Sequence, residues 1–270
     1  MIYSDRQLSQ KLERTEARAG ADFAATRRRV SPNREAEWID VAGAYAIFDG
    51  PKSPLTQTFG LGLFDPIADA EMQRLESFFL DRKAPVFHEV SPLADLSLMP
   101  RLNERGYQPI ELTSVMFRML DAEIGRDAIT KVRPRVIAPE EGDLWAGVSA
   151  AGWVPEGEDL GEFMQNFGRI NTECSGSFPF IGELEGHPIA TGMLFIYGEI
   201  AILAGASTVP DGRNKGAQNA LLNARLEFAR VRGCTMAMMG ALPGSQSQKN
   251  AQKKGFQIAY TRTKWQLAEG

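Results

Sequence analysis

Apolar positions spaced three and four apart alternate along this chain with short runs of period two. Near the N-terminus, Leu8, Leu12 and Ala19 fall on one helical face and Phe23 continues it. Ser4-Asp5-Arg6-Gln7 reads as a capping box opening that helix. Residues 38–48 predict a strand, and residues 59–64 a second one stopped by Asp65-Pro66. Residues 69–82 predict a helix whose stripe is Met72, Leu75, Phe78 and Phe79. A buried strand over 84–90 follows, then a helix over 96–105 ended by Gly106, then a long strand over 110–120.

Residues 121–133 are polar and lack periodicity, and Pro134 follows them. The domain linker is expected there, dividing the chain into 1–125 and 134–270. The second part predicts a strand from Arg135, a helix over 139–151 and a Gly/Glu/Pro-rich loop over 152–161. Strands are predicted at 177–184, 189–197 and 200–208, with hairpin turns at Glu185-Gly186-His187 and Gly198-Glu199. Residues 217–232 predict a strong helix with Leu221, Ala224 and Phe228 along one side and Gly233 just beyond its end. A strand over 235–239, a short helix over 247–254 and a last strand over 256–267 complete the pattern.

The two parts echo each other. In each, a helix leads to a strand, a Pro-containing turn, a helix, a basic-Gly-aromatic triplet and a closing strand. The distance from helix start to that glycine is 37 residues (Asp69 to Gly106) in the first part and 39 (Gly216 to Gly255) in the second. One order of elements used twice predicts a duplicated α/β fold, each copy a mixed sheet with helices on both faces.

Composition narrows the chemistry. The chain has 270 residues, 43 % hydrophobic and 24 % charged, enough to bury a core without metals or disulfides. A net charge of −4 argues against a nucleic-acid partner, and Arg27-Arg28-Arg29 reads as a solvated helix end. No apolar run reaches the ~18–20 residues of a membrane span. The N-terminus is too charged for a signal peptide. Cys174 and Cys234 lack metal or redox spacing, so a reduced, cytoplasmic protein is expected. With only His88 and His187 and no clustered cysteines, neither a metal site nor a Ser-His-Asp triad is expected.

The informative stretch is STVPDGRNKGAQNALLNARL, residues 207–226. Three polar donors and a glycine stand where a helix begins. A helix N-terminus offers unpaired N–H groups and partial positive charge, and a glycine lets a diphosphate come close. Arg213 and Lys215 add charge, and Asn214 adds a donor. Neither a Walker A loop nor a GxGxxG fingerprint is present.

The string strand, loop, helix, strand, helix, Gly-Phe, strand over roughly 135–267 resembles the GNAT (Gcn5-related) N-acetyltransferase superfamily. The family's phosphate loop is Arg/Gln-x-x-Gly-x-Gly/Ala. Arg213 and Gly216 match its first and fourth positions, and Gln218 departs at the sixth. KKGFQIAYTR resembles the family's closing Gly-Phe and strand. The resemblance implies tandem GNAT-like domains, each a mixed, mostly antiparallel sheet flanked by helices, with the first copy degenerate. It implies acetyl-CoA as cosubstrate and no metal. Ser207, Thr208 and Val209 would pair with the pantetheine arm, and Arg213, Asn214, Lys215, Gly216, Ala217 and Gln218 would cradle the diphosphate. A small-molecule or protein amine would attack the thioester directly; a homodimer is left open.

The sequence departs from the family at the general acid. The tyrosine often found four residues before the Gly of Gly-Phe is Ala251, and the asparagine seven residues further upstream falls on Gly244. Asn250 and Ser247 stand nearby as a cofactor contact and a proton donor; the bland reading of Ser247 is a helix cap. Tyr260 is a further donor, or packs in the sheet, and Glu199 a base acting through water, or a solvated turn residue. Glu156, Glu158, Asp159 and Glu162 would rim an acceptor site for a cationic amine, or simply face solvent, and Trp153 faces a ligand or the core. Ala251 leaves open a non-catalytic acyl-CoA-binding or interaction module. In the first copy the matching loop, Phe64 to Asp69, has no glycine or basic residue and two carboxylates, so no CoA is expected there.

Overall fold

The computed structural model describes residues 4–121, 130–153 and 158–268. In chain order the elements are α1 (Arg6–Val30), β1 (Glu37–Val41), β2 (Ala44–Phe48), β3 (Gln57–Phe59), α2 (Asp69–Leu80), β4 (Phe87–Val90), α3 (Leu98–Glu104) and β5 (Tyr107–Met119). Then come β6 (Val132–Val136), α4 (Gly142–Ala151), α5 (Glu158–Thr172), β7 (Ser177–Leu184), β8 (His187–Tyr197) and β9 (Ile200–Thr208). The chain closes with α6 (Ala217–Val231), β10 (Met236–Ala241), α7 (Gln246–Lys253) and β11 (Gln257–Leu267). These fold as two compact units, residues 1–117 with 240–270, and residues 118–239.

The first unit is built on a sheet ordered β1-β2-β3-β4-β11-β5. All neighbours in it are antiparallel except β3 and β4. Strand β2 shows why helices cover both faces: Ala44, Ala46 and Phe48 enter one apolar cluster with Met72, Leu75 and Phe79 of α2. Ile47, one residue out of phase, enters another with Ala17 and Ala24 of α1. Helix α1 lies close on the sheet at Gly20, where a Cβ would stand 2.4 Å from Ile47 Cδ1.

The second unit runs β6-β7-β8-β9 antiparallel, with β10 added parallel to β9. Helix α6 makes the crossover between β9 and β10. Strand β8 is buried at every residue from Ile189 to Phe195, so it needs cover on both faces. Helix α6 supplies one, with Leu221 and Leu226 fully buried, and α4 supplies Trp145, whose indole donates to Phe180 O at 2.8 Å.

The structure departs from the sequence pattern at several points. Residues 38–48 form a hairpin rather than one strand, because Ala42 (φ 50°) and Gly43 (φ 78°) make a two-residue turn between Val41 and Ala44. The same geometry recurs, as expected, at Glu185 (φ 53°) and Gly186 (φ 83°). The strand expected over 59–64 ends at Phe59, where Gly60 and Gly62, both at positive φ, curl the chain back. Asp5, not Ser4, caps α1, accepting from Leu8 N at 2.8 Å. Helix α5 occupies residues to which the pattern assigned a loop or nothing.

The closing strand shows where the compact units differ from the expected division at 125 and 134. β11 inserts between β4 and β5 and pairs with β5 from Gln257↔Phe117 to Leu267↔Tyr107. The C-terminal strand of the second repeat is therefore part of the first unit's sheet, and α7 goes with it.

Candidate functional site

In the second unit, β9 and β10 run together for three residue pairs, Ile200 to Ile202 against Met236 to Met238. Strand β9 then continues to Thr208 without β10 beside it, and Ala204, Gly205 and Ala206 are exposed. On its other side, the β8–β9 ladder steps from Met193↔Ala204 to Thr191↔Ser207. Gly205 and Ala206 thus face the single residue Gly192, which is a β-bulge with Gly205 in the left-handed region (φ 57°).

Beyond the bulge the strand end is held from three directions. Ser207 Oγ donates to Ser149 O at the end of α4, at 2.8 Å. Gly152 makes room for this, since a Cβ there would fall 1.8 Å from Ser207 Oγ. Gln218 Nε2 donates to both Ser207 O and Thr208 Oγ1, each at 2.7 Å. Val209 N donates to Ile189 O at 3.0 Å and keeps the chain in the ladder.

The loop then turns through Pro210–Gly212 into two left-handed residues, Asn214 (φ 61°) and Gly216 (φ 79°). Asparagine is among the few side chains that tolerate that region. Gly216 is the N-cap of α6, and the first helical bond is Ala220 N to Gly216 O at 3.1 Å. No acceptor among the described residues takes the N–H groups of Ala217, Gln218 and Asn219, so three donors at the positive end of α6 stand ready for an anion. Among the described residues, a Cβ at Gly216 would meet only Thr130 Oγ1, at 3.5 Å.

The structure therefore brings Ser207, Thr208, Val209, Arg213, Asn214, Lys215, Gly216, Ala217 and Gln218 to one end of β9. Asn214, Lys215 and Gly216 are exposed. Arg213 is also exposed and donates to Gly152 O at 3.2 Å, a cation at the C-terminus of α4.

The candidate catalytic residues divide between the two units. Glu199 starts β9 at the end opposite Ser207, about 25 Å of extended strand away at ~3.3 Å per residue, and accepts from Thr235 Oγ1 at 3.0 Å. Its remoteness removes the reason for reading it as a base. Ser247, Asn250 and Tyr260 belong to the first unit. Ser247 is exposed and is not the cap of α7; Ser245 is, accepting from Gln248 N at 3.2 Å. Asn250 accepts from Gln246 Nε2 at 2.8 Å.

Tyr260 is buried, and its hydroxyl donates to Glu13 Oε1 at 2.9 Å. Burial and the neighbouring carboxylate push the phenol well above its ordinary range, so it is a sheet residue rather than an accessible acid. Trp153 is half-buried. Of the acidic group, Glu162 is exposed on α5, Glu158 and Asp159 begin that helix, and Glu156 lies outside the described residues.

The pattern reading missed the bulge, Ser149, Gly152 and Arg225. A glycine inside each of two strand patterns, Gly192 and Gly205, was the signal that could have located the bulge. Among the described residues, no group of His, Cys, Asp and Glu could hold a metal ion, and no helix is long and apolar enough to cross a membrane.

No family model and no curated protein matches the sequence. Solved structures do match the fold. A GCN5-related N-acetyltransferase from Kribbella flavida is similar with a TM-score of 0.65 at 15% identity, over 93% of this chain and 96% of that one. A tandem GNAT protein from the clavulanic acid biosynthesis pathway has a TM-score of 0.58 at 12% identity, over 84% and 79% of the two chains. A GCN5-related N-acetyltransferase from Sphaerobacter thermophilus has a TM-score of 0.57 at 18% identity, over 84% and 78%. The fold is that of the tandem GNAT proteins, a mixed sheet flanked by helices in each unit.

Proposed function

We propose that this protein is a cytoplasmic N-acetyltransferase that moves an acetyl group from acetyl-CoA to an amine by direct attack in a ternary complex. The observation that carries the reading is the end of β9: a strand parted from its parallel neighbour, leading into a left-handed glycine and three N–H groups that no described residue accepts. A diphosphate has the charge and the acceptors for those donors. Asn214, Lys215, Gly216, Ala217 and Gln218 would hold it, with Arg213 released from Gly152 O to join them. Ser207, Thr208 and Val209 would flank the pantetheine arm. The fold supports this reading, since GNAT proteins share it.

In this reading the amine nitrogen bonds to the thioester carbonyl carbon, and the C–S bond then breaks. The amine's proton leaves to solvent, and the departing thiolate takes one up. The oxyanion formed between these steps needs a donor, and backbone N–H groups at the exposed bulge supply it. Proximity of two bound substrates contributes much of the remaining rate. The acceptor is a small-molecule or protein amine, drawn by the acidic residues of α5.

Acetyl-CoA binding to the purified protein, measured by calorimetry, tests the site. Micromolar affinity, about −8 kcal/mol, is expected. Gly216→Glu should abolish it, and Gly216→Ala separates backbone strain from blockage. Normal binding by Gly216→Glu would refute the loop assignment. A second reading, a non-catalytic acyl-CoA-binding module, is favoured by Ala251, 1% exposed where many GNAT proteins carry a tyrosine. Binding without turnover on any of a panel of amines would select it.

A further inference from the structure

Arg225 projects from α6 into the interior beneath the bulge and is 3% exposed. Its Nη1 donates to Met193 O at 2.9 Å and Ala204 O at 3.2 Å, the residue pair at which the ladder steps into the bulge. Its Nε donates to Leu221 O at 3.2 Å, one turn back on its own helix. Among the described residues no carboxylate pairs with it. Room for the guanidinium comes from Gly192, where a Cβ would stand 2.7 Å from Arg225 Cζ. Two features are thus fitted to one another: a strand glycine opposite the bulge, and a buried cation occupying the space it leaves.

A buried, uncompensated cation is expensive, and replacing it by an apolar side chain would ordinarily cost little or stabilise. Burial draws the guanidinium down to about 10, which still leaves it charged at neutral pH. Its place suggests what the charge does. The carbonyl of Ala204 and the N–H of Gly205 are two ends of one trans peptide, and they point in opposite directions. A cation donating to the carbonyl polarises the peptide and strengthens the N–H as a donor. That N–H belongs to an exposed residue where β9 has left β10.

We propose that Arg225 is a positioning residue for acyl transfer: through the Ala204–Gly205 peptide it fixes the bulge and charges the backbone donor that polarises the thioester carbonyl. The inference rests on the acetyltransferase reading above. The residue touches neither the cosubstrate nor the reacting atoms, and it lies a helix turn and more from the phosphate loop in sequence. It should therefore affect the electronic state of the thioester and leave CoA affinity alone.

Infrared difference spectra of isotope-labelled acetyl-CoA bound to the full chain read this directly and need no acceptor. In the wild type the thioester carbonyl stretch should move to lower frequency than in free acetyl-CoA. Arg225→Met should lose more than half of that displacement, with affinity for desacetyl-CoA within about twofold of wild type. Arg225→Lys, which keeps a cation, should retain most of it. Gly192→Ala, which keeps the arginine but takes its space, should lose the displacement as Arg225→Met does, and serves if Arg225→Met does not fold. A wild type that binds no acetyl-CoA would overturn the acetyltransferase reading and this inference with it. A wild-type displacement left intact in Arg225→Met and Gly192→Ala would overturn this inference alone. Parallel loss of displacement and CoA affinity would make Arg225 a structural strut and also overturn it.

Discussion

Glu13 provides the most quantitative expectation, because its surroundings hold more negative than positive charge. It is 1% exposed on α1. Around it stand Glu16 from the same helix, Glu89 from β4, and Tyr260, Arg262 and Lys264 from β11. Arg262 Nη1 lies 3.3 Å from Glu13 and 2.6 Å from Glu16, its Nε lies 2.9 Å from Glu89, and Lys264 Nζ lies 3.6 Å from Glu89. Three carboxylates therefore share two cations. Burial raises Glu13 from 4.5 to about 7, against the pull of Arg262 and with the push of Glu16. Between those values the folded chain holds a proton at Glu13 that the unfolded chain has released, so the contribution of Glu13 to stability must fall as pH rises. The full effect is on the order of 3 kcal/mol at 1.36 kcal/mol per unit. Between pH 5.5 and 7.5 about 2 kcal/mol of it should appear. Urea denaturation at these two pH values should show the wild type losing that amount relative to Glu13→Gln, which keeps an acceptor for Tyr260 and removes this titration alone. The comparison is needed because buried His88, held well below its ordinary range by desolvation, contributes stability that rises with pH over the same window in both proteins. Glu13→Gln should be the more stable protein at pH 7.5. Equal slopes in the two proteins would refute the reasoning.

Three further outcomes are expected. Gly216→Ala should lower stability by about 1 kcal/mol, since its cost is the left-handed backbone and not a clash; thermal denaturation measures it. Tyr260→Phe should lower acetyl transfer less than tenfold while reducing stability by about 1 kcal/mol, because Glu13 loses its hydroxyl donor and keeps only Arg262; a loss of several hundredfold in rate with intact CoA binding would restore Tyr260 as an acid. Titration with acetyl-CoA should saturate at one equivalent per chain, and two equivalents falling to one in Gly216→Glu would show a working site in the first unit.

Much of the fold was legible because its signals are local. The stripe of Met72, Leu75, Phe78 and Phe79 is the buried face of α2, and the glycines at 186 and 216 do turn the chain with positive φ. What was not legible depends on partners distant in sequence. The pattern over residues 256–267 predicts a strand, but nothing in it says that Trp265 pairs with His88 and Pro109 rather than with the second unit's strands. Gln218 looked like a fault in the phosphate-loop motif. In the structure it ties the loop to Ser207 and Thr208, a role visible only once a strand end and a helix start meet. Arg225 carries no pattern signal, since one arginine on a helix reads as solvated until Gly192 is seen opposite it.

The two crossovers show how one scaffold acquires opposite chemistry. Each joins a strand to its parallel neighbour through a helix, β3-α2-β4 in the first unit and β9-α6-β10 in the second. At the start of α6 no described residue takes the first backbone donors. At the start of α2 the protein supplies its own anions: Glu71 accepts from Ala68 N at 2.8 Å, and Asp69 lies 3.4 Å from Arg101. The preceding loop is filled as well, with Leu61 and Leu63 fully buried and Leu63 O claimed by Arg6 and Gln10 of α1. A diphosphate brought to α2 would have to displace a carboxylate from a donor it already satisfies, beside a second carboxylate that repels it. That difference follows from a few loop residues and not from the order of elements, which is why the duplicated pattern predicts two copies of a fold and not two copies of a site.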